Sequence, residues 1–289
     1  VLIGGDYQGN NPNLSNSLNT EVSGDISANS ILDGDGGRVI VWADDLTIFS
    51  GSINVTGGAV AGDGGFVETS GKNILSYTGV VDASAINGET GDLLLDPIDI
   101  TISTSATSAI QNTTDTWESD DSSGSSIINV SDLLTSLSSA NVTISTQQNS
   151  GSQTAPAGGD ITVSSAIDNS ANNNNLTLIA GEDVSIFGAI TMGSSGDLTI
   201  NAGQRGDINS GSVLATAALT ANDLIVTADT GITIINAVVD TMDLTINQTG
   251  SISVSNTQSY TLNAATNNSS LTATSTSGNI TVGTINAGS

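Results

Sequence analysis

Residues 34–41 read GDGGRVIV and residues 62–69 read GDGGFVET, 28 positions later. Each quartet runs straight into a β-branched or aromatic stretch, so it introduces a strand rather than a helix. A phosphate-cradling loop needs its glycines to open a helix, usually beside a Lys or Arg, so that N–H groups and positive charge face the anion. VIVW and FVET do not fit that role. A tight corner does: Gly permits positive φ, Asp bonds nearby backbone, and a strand restarts. Asp33, Asp35 and Asp63 are hard oxygen donors beside these corners and are the candidate calcium ligands. The tandem GGxGxD repeat of calcium-binding rolls is missing from the sequence, so no cofactor is expected, with calcium at those three aspartates as the alternative.

The interval extends beyond the quartets. GDISANSILDGDGGRVIVWA from Gly24, GSINVTGGAVAGDGGFVETS from Gly51 and GVVDASAINGETGDLLLDPI from Gly79 align, with DDLTIFSG (44–51) and KNILSYTG (72–79) supplying a third strand per unit. In the second half, Leu176, Leu198, Leu224, Leu244 and Leu271 each open a strand, with partner strands at Val184, Ile232, Ile252 and Ile280. Homologous units of about 20–28 residues are the mark of a solenoid. Short β-branched strands broken by Gly, Asn and Asp make it an all-β one. The expected fold is a parallel β-helix whose Leu, Ile and Val residues stack coil upon coil. Expected divisions are 1–102 with Gly-Asp-Gly-Gly coils, 103–140 as a polar excursion plus a short helix near 131–138, and 141–289 with Leu-Thr-Ile coils. In the helix Ser131 is the expected N-cap, with Leu133, Leu134 and Leu137 on one face.

Three basic residues (Arg38, Lys72, Arg205) stand against 29 acidic ones, a formal net charge of −26. Such a surface repels phosphate backbones and acidic headgroups, so no nucleic-acid partner is expected. No apolar run approaches the roughly 18 residues of a membrane span, so no membrane insertion is expected either. The chain has no Cys and no His, which removes disulfides, thiol nucleophiles, imidazole acid–base chemistry and most zinc sites. Without a basic n-region or an initiator Met, the chain is expected to be an excerpt of a longer protein.

GGRVIVWADDLTIFSG, GGFVETSGK and LLLDPIDITI carry a family resemblance, through Gly36, Gly37, Val39 to Asp44, Gly64 to Lys72 and Leu93 to Pro97. The later order of a short helical segment, NVTIST, GGDITV and LTL/LTI coils continues it. The chain resembles the passenger region of filamentous-haemagglutinin-like exoproteins, large bacterial surface proteins exported by two-partner secretion. The resemblance implies a right-handed parallel β-helix, an outer-membrane transporter as partner of the parent protein, and a secreted or cell-surface adhesin. The family's transporter-recognition domain is not matched here; NPNL at 11–14 shares only an Asn-Pro-Asn run with it.

Further motifs have plainer readings beside sharper ones. Arg205-Gly206-Asp207 spells an integrin-recognised tripeptide, but Gly-Asp is this chain's habitual turn, recurring at 5, 24, 34, 62, 91, 159, 196 and 206. Asn-x-Ser/Thr sequons begin at Asn13, Asn54, Asn112, Asn129, Asn141, Asn175, Asn247, Asn267, Asn268 and Asn279; composition produces many of them, with glycosylation as the alternative. The run from Asn172 to Asn175 reads as an amide ladder or a solvated loop. Asp44-Asp45 and Asp120-Asp121 are carboxylate pairs, but neighbours on a strand face opposite ways and are poorly placed to act on one bond. Trp42, Phe66, Phe187 and Tyr260 are expected in the core, and Trp117 in the polar excursion as a surface aromatic for sugars. The expected function is therefore a non-catalytic rod segment of a surface adhesin, a stiff spacer whose partners are glycans or proteins on host or neighbouring cells. The alternatives are a surface filament or surface-layer subunit with coaxial self-association, and a carbohydrate-active β-helix enzyme.

Overall fold

Parallel strands of one sheet cannot be joined by a hairpin, so a chain of short parallel strands must travel around a coil between successive pairings. The computed structural model describes residues 1–107, 110–113, 116–119, 126–146, 159–204, 211–267 and 270–288, and it is an all-β parallel β-helix. Two units are distinguished, Val1–Gln148 and Asn149–Ser289.

In the first unit, one sheet stacks Leu2–Ile3, Arg38–Ala43, Phe66–Gly71, Asp92–Leu95 and Asn141–Ser145. A second stacks Asn19–Val22, Leu46–Phe49 and Ile74–Tyr77, and a third Asp25–Ser27, Ser52–Asn54 and Val80–Asp82. The aligned repeats coincide with this register: Arg38 pairs with Phe66, and Asp25 with Ser52 and then Val80. Val39, Val67, Leu93 and Val142 share one inward row, each almost fully buried. Phe49 lies over Tyr77 with ring centroids 5.5 Å apart. Each such aliphatic side chain gains roughly 1.5–3 kcal/mol by burial, which offsets backbone ordering of about 1–2 kcal/mol per residue.

The corner glycines allow this stacking. Gly34 and Gly62 hold φ of +126° and +125°. A Cβ on Gly64 would lie 1.7 Å from the Ala83 carbonyl oxygen. The quartets rest one on the other, with Gly36 N–H donating to the Asp63 carbonyl at 2.8 Å and Gly64 N–H to that of Glu89 at 2.9 Å.

The described residues of the polar excursion include strands as well as the helix. Ser126–Asn129 returns to pair in parallel with Ile100–Ser103, and between them in sequence Ile110–Thr113 pairs antiparallel with Thr116–Ser119. The helix Val130–Leu137 follows, with Asn129 rather than Ser131 as its N-cap. Asn129 Oδ1 accepts the Ser131 N–H at 2.8 Å, while its amide donates to the Ser105 carbonyl at 2.8 Å. Ser131 lies inside the first turn because the amide can tie cap and loop together, which one hydroxyl cannot. Leu133 and Leu137 are buried and Leu134 only partly; Ser136 takes the inner position, hydrogen-bonded to the Tyr77 hydroxyl at 2.9 Å.

In the second unit, Leu176–Ile179, Leu198–Asn201, Asp223–Ala228, Thr241–Ile246, Tyr260–Asn267 and Ile280–Gly288 make one sheet. Ile161–Val163, Val184–Ile186, Ser212–Ala215, Gly231–Ile235, Ser251–Asn256 and Ser270–Ser275 make another. Short strands at Ile167, Ile190, Leu219 and Ala237 form a third side. Two expected equivalences are corrected. Leu224 pairs with Met242, placing Leu244 opposite Val226. Leu271 pairs with Ile252 and Ile280 with Tyr260, so those last two strands exchange sheets relative to the expectation. Both sheets use the same apolar-polar alternation, so the motif alone does not say which side of a shortened coil a strand occupies.

Gly64→Ala should lower the stability of the first unit by about 1–3 kcal/mol through overpacking. Gly24→Ala, where no atom lies within 4 Å of the added carbon, should be near neutral. Denaturant unfolding of the two variants checks this contrast.

Candidate functional site

The Gly-Asp corners use their carboxylates to bind the next coil. Asp35 Oδ1 accepts the Asp63 N–H at 2.9 Å, and Asp63 Oδ1 accepts the Glu89 N–H at 2.8 Å. Asp160 receives the Asp183 N–H, Asp183 that of Ser212, and Asp197 that of Asp223. Asn173 and Asn175 do the same for Ser195 and Asp197, so the asparagine run hydrogen-bonds across coils. A carboxylate acceptor strengthens such bonds.

A different arrangement covers the outer face of the first sheet. Strands 38–43 and 66–71 are buried on both faces apart from their first residues, because residues 4–16 fold over them. Gly4 and Gly9 take φ of +76° and +64°. Added Cβ atoms on Gly5 and Gly9 would lie 2.6 Å from the Trp42 indole, which explains the glycines of GGDYQG at 4–9. The Trp42 indole N–H donates to Asp44 Oδ1 at 3.2 Å.

Beneath this flap lie Glu68 and Asp96, 0% and 5% exposed. Gln8, itself at φ +51°, bridges them. Its backbone N–H donates to Glu68 Oε1 at 3.1 Å and Oε2 at 3.2 Å, and its side-chain amide donates to Asp96 Oδ2 at 3.1 Å. Asp96 Oδ1 is buried with no hydrogen-bond partner. Burial pushes both carboxyls up to about 7, Glu68 further through the neighbouring charge of Asp96 and against the opposing pull of the Gln8 N–H and Arg38. Arg38 lies 4.8 Å from the centre of the Tyr7 ring and 5.0 Å from that of Phe66, at the flap's edge. The pair can hold and release protons near neutrality, and its immediate effect falls on the segment that covers it.

Of the candidates read from the sequence, the three aspartates lie at one corner of consecutive coils and the others are dispersed. Asp33 forms a bridge with Ala61, while Asp35 and Asp63 sit on consecutive coils, each accepting a backbone N–H. No group of three or more acidic side chains suited to a metal is found among the described residues. Asp44 and Asp45 occupy a bend, not a strand, because a coil must turn between residues 43 and 46; Asp45 accepts from the Asn73 amide at 2.9 Å. Trp42 and Tyr260 are buried and Phe66 is half-buried. Phe187 lies past the end of strand Val184–Ile186 and is 52% exposed, correcting its expected place in the core. Trp117 sits in the antiparallel strand pair, opposite Asn112. Arg205, Gly206 and Asp207, with Asp120, Asp121 and Asn268, lie outside the described residues. Glu68 went unnoticed because it is spaced as an ordinary strand residue, and Asp96 because it reads as the turn after Asp92–Leu95; an acidic residue inside the alternation of FVETSG was the available signal. No protein-family model and no curated protein matches this sequence.

A carboxyl whose folded pKa is raised stabilises the fold fully below its ordinary value and loses that contribution as pH rises through the folded value. Glu68 and Asp96 should therefore hold the flap most firmly below about pH 4 and release on the order of a few kcal/mol of stabilisation by pH 7–8. Hydrogen exchange at residues 4–9 should speed up across that interval beyond the general rise with pH, and Glu68→Gln should reduce the excess. Calcium at millimolar concentration should leave the melting temperature unchanged; a calcium-dependent increase would assign a metal to the aspartate corners.

Proposed function

We propose that this chain is a non-catalytic rod segment of a secreted bacterial surface adhesin, serving as a stiff spacer and adhesion surface. The supporting observation is the use made of its side chains. Inward rows such as Leu176–Leu198–Leu224–Met242–Leu262 stack in register and are buried. Corner carboxylates hold one coil to the next. A fold committed in this way resists bending because every interior residue rests on its equivalents above and below. Export through an outer-membrane transporter and display at the cell surface rest on the resemblance of GGRVIVWADDLTIFSG and LLLDPIDITI to two-partner-secretion passengers. The acidic, Ser/Thr-rich exterior suits a solvated spacer that does not bind nucleic acid.

A glycan array paired with a reducing-sugar release assay tests the proposal. Glycan binding without release is the expected result for an adhesive rod. Release of reducing ends would overturn the non-catalytic reading in favour of a carbohydrate-active enzyme. Neither binding nor release would reduce the role to a spacer.

A further inference from the structure

Ile31, Leu32, Val60 and Ile86 are 86%, 63%, 60% and 77% exposed. They form one feature. Val60 N–H donates to the Leu32 carbonyl at 2.8 Å, and Asp33 bridges in parallel to Ala61. On the next coil, Asn87 Nδ2 donates to the Ala59 carbonyl at 3.0 Å and Glu89 N–H to Asp63 Oδ1 at 2.8 Å. The same corner thus sends an aliphatic side chain into solvent on three successive coils, about 4.8 Å apart. The corner is packed, since a Cβ on Gly58 would lie 2.8 Å from the Leu32 carbonyl oxygen. Two other exposed aliphatics lack such company: Leu214 stands between Ser185 and Thr233, and Ile225 between Thr199 and Asp243.

Asp33, Asp35, Asp63 and Glu89, all exposed, flank the ladder, and no Lys or Arg occurs in residues 28–37, 56–65 or 84–91. An apolar stripe with acidic borders suits an apolar stripe with basic borders. Spacing selects the partner's backbone. Two ladder steps cover about 9.6 Å, and helix positions i, i+4 and i+7 cover about 10.5 Å. An extended strand would place same-face residues about 6.6–6.8 Å apart and lose register. A second copy of this chain is unsuitable: its charge is −26, and the one α-helix among the described residues buries its apolar face and carries Asp132.

We propose that the Leu32–Val60–Ile86 ladder docks a basic amphipathic helix of a partner protein, with apolar residues at i, i+4 and i+7 and Lys or Arg beside them. This deepens the adhesion reading by locating a protein-binding surface, yet it fails separately: loss of glycan binding would leave it intact.

The test uses two synthetic peptides of equal composition and charge, a Leu/Lys helix with that spacing and a scrambled order that abolishes the apolar face. In calorimetric titrations at about 0.15 M salt, where remote charge is screened, the periodic peptide should bind on the order of tenfold tighter or better. Combined Ile31→Ser, Leu32→Ser, Val60→Ser and Ile86→Ser should erase that preference, and Ile86→Ser alone should reduce it. Ile225→Ser with Ile235→Ser, exposed elsewhere, should leave it unchanged, and thermal melts verify folding. Equal affinity for both peptides, a preference that survives in the ladder variants, or ladder-dependent dimers in sedimentation would each overturn the proposal.

Discussion

The parallel pairing of each strand with its equivalent one coil away governs the rest of this structure. It demands backbone hydrogen bonds between residues mostly 18–29 positions apart in sequence, and it places like side chains over like. Interior positions then become rows that must be filled at every coil, which the Val39 and Leu176 rows do with aliphatic residues. Corners must pass closely over corners, which excludes a Cβ at Gly64. Outward positions are left largely to polar residues such as Ser, Thr and Asn, whose side chains need no partner in water.

The same pairing gives the acidic residues their work. A corner carboxylate lies within reach of the next coil's unpaired N–H groups, as Asp35 does for Asp63 and Asp63 for Glu89. The large negative charge is thus partly structural, set where backbone donors would otherwise go unsatisfied. Glu68 and Asp96 are a different case. They occupy outward positions that became interior when residues 4–16 folded across them, so their carboxyls were desolvated and now titrate near neutrality. A polar position on a sheet face was converted into a proton-sensitive one by a covering segment.

Repeats made much of the first unit legible. The alignments beginning at Gly24, Gly51 and Gly79 match the observed register because three coils of nearly equal length carry homologous residues at each corner. Late in the second unit, coils shorten to 18–20 residues, and Leu271 and Ile280 could not be assigned to a side by pattern. The helix was visible in SDLLTSL, but its cap was not, since Asn129 and Ser131 are both good caps and only the Asn129 amide also reaches Ser105. The Ile31, Leu32, Val60 and Ile86 ladder was hidden for the opposite reason: an aliphatic residue in a repeat reads as core until its side of the coil is known.

The sequence by itself determined the all-β solenoid, its coil interval in the first unit, the corner chemistry and the exclusion of thiol and imidazole catalysis, because these follow from periodicity and residue type. Tertiary structure alone decided which face of each coil is covered. That depends on where residues 4–16 lie and on which side a corner projects, distances that no local spacing encodes. Burial made Glu68 and Asp96 titratable near neutrality, and exposure turned four aliphatic residues into a surface.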